Sequence, residues 1–220
     1  LICIAAGNSG TDSNVVDGVI DPQSVASPAT AKNCLTVGAA ESYRITGGFS
    51  TYRWGIELWP ADYPTNPIQS DYASRPMSNS VQGMAAFSSR GPCSDGRVKP
   101  EIVAPGTHVT GGVGQNVRTM AGTGTALTCF SAGGVCGLKD NSGNYLNFFP
   151  TNQQWYTTSS GTSHSTPCVA GGAALVYQYF INQWTNPPSP AMVKAYLMNA
   201  ARYMTGMDAG DDLWSNDQGM

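Results

Sequence analysis

The sequence predicts an α/β domain built on a mostly parallel sheet, and three observations carry that prediction. Residues 1–6 form an unbroken apolar run that ends in Gly7-Asn8, the pattern of a strand buried on both faces. Residues 34–37 and 101–104 are two more short segments of the same kind. Two longer segments, 163–184 and 190–202, read as helices, and strands interleaved with helices point to this class.

Each element has a local reason. The helix starting at Ser163 carries Pro167 near its first turn, where a missing N–H costs little. Ala170-Gly-Gly-Ala-Ala174 gives it a face of small residues able to press closely on a sheet, and Asn186-Pro-Pro-Ser-Pro190 stops it. Ser189 is a good N-cap with Pro190 at the first helical position of the next helix. There Met192, Val193, Tyr196, Leu197 and Ala200 recur at helical spacing. Two long stretches, about 41–86 and 110–157, have few charges and no helical period, so they read as surface insertions that rim a cleft, dock a partner or merely decorate.

Composition excludes several classes. At 220 residues the chain fits one domain, spanning 1–220, with a sizeable core. Charged residues are 11% and the net charge is −3, which leaves no basic patch for nucleic acid and no cationic face for a membrane. The longest apolar candidate, 169–181, is broken by Gly-Gly, tyrosines and a glutamine, so no membrane span is expected. The six cysteines form no Cys-x-x-Cys pair, and with two histidines they make no zinc set. Cys129 and Cys136 flank a short Gly-rich loop and could close a disulfide in a secreted protein; Cys3 and Cys168 read as small buried hydrophobes. Cys34 lies in a strand and Cys93 in a turn, with no pairing legible. The opening inside an apolar strand and the close at Gly219-Met220 suggest an internal piece of a longer protein, incomplete at both ends.

The chemistry concentrates in residues 159–171, Ser-Ser-Gly-Thr-Ser-His-Ser-Thr-Pro-Cys-Val-Ala-Gly. Ser163 stands at the mouth of a long helix, where unpaired N–H groups and the positive dipole end favour an anion forming on a nucleophilic oxygen. This segment resembles the nucleophile motif of the subtilisin-like serine proteases, Gly-Thr-Ser-x-[Ala/Ser]-[Ser/Thr]-Pro-x-Val-Ala-Gly. Three further blocks resemble the family in chain order. Residues 4–10, Ile-Ala-Ala-Gly-Asn-Ser-Gly, match the strand end that presents the oxyanion-hole asparagine. Residues 27–39 match a following strand more weakly, and residues 87–107 match the Phe-Ser-Ser-x-Gly-Pro block and the Lys-Pro-[Asp/Glu]-x-x-Ala-Pro-Gly turn.

The resemblance implies a three-layer subtilisin-like domain and a serine endopeptidase acting on polypeptides, outside the cell in the full-length protein. It makes Ser163 the nucleophile and Asn8 the oxyanion donor, with Ala5, Ala6, Gly7, Gly161 and Thr162 contacting substrate. The family's aspartate and histidine precede the asparagine block, so this chain lacks them. His164 stands where the family usually has methionine, and His108 lies in the Ala-Pro-Gly-Thr turn; both read as ordinary polar side chains. No cofactor or metal is required for such chemistry, and no calcium site is legible. Two other readings compete. An α/β-hydrolase needs Gly-x-Ser-x-Gly, but Ser165 stands where the last glycine belongs. A catalytically inactive binding or regulatory module of the same family would differ in the missing half.

Overall fold

A computed structural model of the chain describes residues 1–14, 16–46, 48–63, 76–112, 116–119, 122–125, 146, 148, 155–206, 215 and 217–219. The central sheet has three parallel strands in the order β1 (Cys3–Ala5), β2 (Leu35–Ala40) and β3 (Ile102–Pro105). Cys3 pairs with Leu35, and Val37 with Ile102. All six residues of β2 are buried, which is why the strand contains neither a charge nor an alternating pattern. Two antiparallel ribbons accompany the sheet. β4 (Val109–Gly112) pairs with β7 (Tyr156–Ser159), and β5 (Asn116–Thr119) with β6 (Gly122–Thr125).

Both helices cover one face of the sheet. α1 (Thr162–Trp184) sets Val169 against Leu35 and Val37, with Ile102, Ala104, Leu197 and Met198 around them. α2 (Pro190–Ala200) joins it through Val193, which meets Ala173 and Val176. The opposite face is packed by loops: Ile4 and Ala6 lie under Val25 and Ala29. Ser189 caps α2 as its position predicts, its side chain accepting from the Met192 N–H at 3.1 Å. That helix ends at Ala200, short of the expected 202, because Ala201 is already extended (φ −68°, ψ 153°).

Four expectations need correction. The small-residue stretch of α1 does not press on the sheet as a unit, since Ala173 is buried while Ala170, Gly171 and Ala174 face outward. Pro167 lies beyond the first helical turn, so the bond it forgoes is one to the Ser163 carbonyl and not a free terminal donor. Segment 41–86 is not wholly superficial. A π-helical turn, Trp54–Leu58, buries Trp54, and Tyr63 and Met77 join it in a core cluster with Ile20, Ala39 and Ala85–Phe87. The Tyr63 hydroxyl donates to Gly10 O at 2.7 Å, tying this segment to the loop after β1. Cys129 and Cys136 lie outside the described residues; Cys3, Cys34, Cys93 and Cys168 are free thiols, and Cys168 is exposed and Cys3 half-buried where both were expected to be buried.

A buried ionic cluster fastens β2, β3 and α2 together. Lys99 Nζ is 2.6 Å from Glu101 Oε1 and donates to Thr36 Oγ1 at 2.7 Å. Lys194 reaches the same carboxylate oxygen at 2.6 Å and the Cys34 carbonyl at 2.8 Å. The other oxygen accepts the Thr36 N–H at 2.6 Å. Lys99 and Glu101 are almost fully enclosed, so each charge depends on its partners. The Lys-Pro-Glu sequence thus has a packing role.

Candidate active site

The site forms where the end of β1 meets the start of α1. After Ala5 the chain leaves the sheet, with the Ala6 N–H still donating to Val37 O at 2.9 Å. Gly7 then turns at φ +111°, a conformation that side chains rarely adopt, and a Cβ there would meet Ser89 Oγ at 2.8 Å. The Phe-Ser-Ser segment clamps this turn. Ser89 N–H donates to Gly7 O at 3.0 Å, Ser89 Oγ accepts from Ser9 N–H at 3.1 Å, and Gly10 N–H donates to Phe87 O at 2.9 Å. These bonds hold Asn8 outward, exposed to solvent.

From the other side the chain enters along β7. Gly161 carries φ +154° and ψ 155°, a region open essentially to glycine alone, and its N–H donates to Gly106 O at 2.8 Å. α1 begins immediately after, so Ser163 is its second residue and is exposed. The Gly161 cap offers no side-chain acceptor to the first N–H groups. Asn8 supplies one from a distance, its Oδ1 accepting both the Thr162 N–H and the Thr162 hydroxyl at 2.9 Å. The Thr162 hydroxyl in turn accepts the Gly7 N–H at 3.3 Å. Asn8 Nδ2 lies 3.4 Å from the point where a Cβ on Gly161 would stand. α1 has no acidic residue in its first turn, so its positive end is left uncompensated beside Ser163.

The expected site residues therefore separate by role. Ser163 and Asn8 come together at the surface, joined through Thr162. Thr162 itself is fully buried, and Gly161 is buried too; the threonine orients the asparagine instead of facing a ligand. Ala6 is also sealed, its methyl packed with Val25 and Ala29, so only Ala5 and Gly7 of that trio reach the surface, both half-buried. Sequence reasoning missed the parts played by Thr162 and by Ser89; the signal was there in Gly-Thr-Ser and Phe-Ser-Ser, whose hydroxyls read only as motif letters.

Both histidines are hydrogen-bonded to serines. His164 Nε2 is 2.8 Å from Ser159 Oγ. His108 is buried, with Nδ1 2.7 Å from Ser78 Oγ and its backbone N–H donating to Ser160 Oγ at 3.0 Å. The Ser78 hydroxyl and the Ser42 N–H both donate to Thr107 Oγ1, so the Ser78 oxygen accepts from His108 Nδ1 and the Nε2 lone pair is enclosed next to Gly48. Burial, aided by the Arg44 charge, pushes this imidazole down to about 4. Among the described residues no group of three or more His, Cys, Asp or Glu is placed to hold a metal ion. Nor is any described helix long and apolar enough to cross a membrane.

The chain is similar to known proteins over most of its length. The chain is 28% identical over 218 residues to the serine protease AprX of Bacillus subtilis (strain 168), covering 99% of this chain and 31% of AprX. It is 26% identical over 170 residues to the serine protease/ABC transporter B family protein tagD of Dictyostelium discoideum, covering 72% of this chain and 8% of that one. The fold superposes on a solved psychrophilic protease, S41, with a TM-score of 0.51 and 21% identity, over 100% of this chain and 46% of that protein. The chain thus spans under a third of these curated relatives and about half of that solved structure. The sequence model of the Subtilase family matches residues 1–220. With that match over its whole length, and with its parallel sheet flanked by helices, this chain belongs to the subtilase family.

Proposed function

We propose that this chain supplies the nucleophile and oxyanion site of a serine endopeptidase. Ser163 Oγ attacks the carbonyl carbon of a peptide bond while a histidine from outside this chain takes its proton. The oxyanion of the tetrahedral intermediate is held by the Ser163 N–H and the Asn8 Nδ2 group. Collapse returns the proton from the histidine to the leaving amine and leaves an acyl group on Ser163, which water then removes by the same steps. Both donors are oriented before reaction, so developing charge is stabilised without reorganisation.

The observation that carries this reading is the double donation from Thr162 to Asn8 Oδ1. With the oxygen occupied, the amide NH₂ is the face that Asn8 offers to a ligand. The external base is supported by the setting of the two histidines present, one bonded to Ser159 and one buried behind Ser160 with its basicity depressed. A partly sealed wall of Ala5 and Gly7 takes the substrate residue preceding the scissile bond.

The test is covalent labelling of the whole protein by a fluorophosphonate. The whole protein should label at one site, and Ser163→Ala should abolish it. The 220-residue chain alone should remain unlabelled for want of a base. Labelling of the isolated chain at the rate of the whole protein would overturn the assignment of the base.

A further inference from the structure

The turn that carries Ser163 is held from two flanks. Thr162, just before the serine, is bonded to Gly7 and Asn8 at the end of β1. His164, just after it, is bonded to the end of β7. Resting on Ser163 as the nucleophile, we propose that His164 is a positioning residue for it, acting through Ser159.

His164 makes two bonds to the incoming strand. Its backbone N–H donates to Gly161 O at 2.9 Å, and its imidazole Nε2 lies 2.8 Å from Ser159 Oγ. Together they close a ring around Ser160 and Gly161. Gly161 needs this closure because it has no side chain to restrain it and stands in a backbone region that glycine enters freely. The ring also lies close to the oxyanion donor. A Cβ on Gly161 would be 3.8 Å from His164 Cδ2 and 3.4 Å from Asn8 Nδ2, so the imidazole and the amide flank the same glycine. Movement of the 159–161 link therefore changes the distance between Asn8 and the Ser163 turn. Methionine, the usual residue of the resembled motif at this position, has no group that bonds Ser159.

The mechanism is positional and involves no proton transfer to substrate. In this role the imidazole bonds the serine hydroxyl through Nε2 and exchanges no proton with Ser163. Loss of the tether should therefore reduce the rate of acylation and leave peptide affinity unchanged.

The experiment uses the whole protein, with fluorophosphonate labelling and peptide hydrolysis as readouts. His164→Met and Ser159→Ala should each lower the labelling rate and kcat about three- to tenfold with KM unchanged, the scale of one lost hydrogen bond. The double variant should be no slower than the slower single one, because both remove one interaction. His164→Gln, whose amide can reach Ser159, should recover most of the loss. Unchanged rates in the single variants, multiplicative losses in the double variant, or glutamine no better than methionine would each overturn the proposal. An independent readout is the ¹⁵N spectrum of His164, where Ser159→Ala should move the Nε2 resonance; an unmoved resonance rejects the contact itself. A parent protein that fails to label at all rejects the nucleophile reading, a result distinct from normal labelling that ignores His164.

Discussion

Thr162 and Asn8 are joined twice, the threonine N–H and hydroxyl both donating to Asn8 Oδ1 at 2.9 Å. The Gly7 N–H enters the same hydroxyl, so its proton is directed at Asn8. An amide can present either its oxygen or its nitrogen to a ligand, and here the oxygen is occupied. The orientation of a solvent-exposed side chain is thus set by a buried one.

Thr162→Val removes the hydroxyl donor while keeping the shape. We expect kcat to fall about tenfold with little change in KM, since the asparagine stays present but is held by one bond instead of two. Thr162→Ser should restore most of the rate. Steady-state kinetics on a chromogenic peptide will decide; a loss confined to KM would mean that Thr162 touches substrate instead.

Asn8→Leu removes the donor altogether. The expected cost is about 10²–10³ in kcat, a magnitude known from the asparagine of subtilisin itself, with Ser163 still open to fluorophosphonate. Comparing kcat with labelling for this variant separates oxyanion stabilisation from nucleophilicity. Equal collapse of both would show that Asn8 supports the fold of the turn.

Glu101→Leu leaves Lys99 buried without its counter-charge and releases Lys194 as well. Removing one partner from such a cluster costs about 3–5 kcal/mol, or roughly 10 °C in Tm for a domain of this size. Denaturant unfolding followed by tryptophan fluorescence provides the measurement. A change below about 1 kcal/mol would mean that water reaches the lysines.

His108 sets a stability limit on the acid side. Its folded value is about 4 against an ordinary 6.5, so the unfolded chain takes up a proton before the folded one does. The neutral imidazole's contribution is complete above about pH 6.5 and is lost as pH falls from there to about 4, at up to about 1.4 kcal/mol per pH unit. His108→Asn, which tolerates the φ of +50° at this position, should flatten the slope in that window. Parallel acid-unfolding curves for the two proteins would remove His108 as the cause.

Much of this was legible in the sequence, and the particular successes and failures have physical reasons. The three parallel strands and both helices could be read because buried strands carry unbroken apolar runs and because Ser189-Pro190 punctuates the chain. The β4–β7 ribbon could not, since Val-Thr-Gly-Gly and Tyr-Thr-Thr-Ser hold little apolar pattern and pair across more than forty residues. Segment 41–86 was misread because it lacks a period, although its tryptophans and tyrosines were themselves the sign of a core. At the site, Ser163 and Asn8 were named by position in a motif. The bonds of Thr162, Ser89 and His164 depend on where two distant turns meet, which no local pattern encodes.

The two flanks of the Ser163 turn belong to units of unequal strength. One is anchored to the three-stranded sheet through Asn8; the other hangs from β7, half of a two-stranded ribbon whose only fully enclosed side chain in that strand is Thr158. β7 also bridges Phe148 at Thr157, yet so short a ribbon is held less firmly than the central sheet, and such regions open below the global transition. On heating, chemistry at Ser163 should therefore fade while circular dichroism still reports an intact sheet. Strengthening the β4–β7 pairing should raise the temperature at which the proposed chemistry is lost.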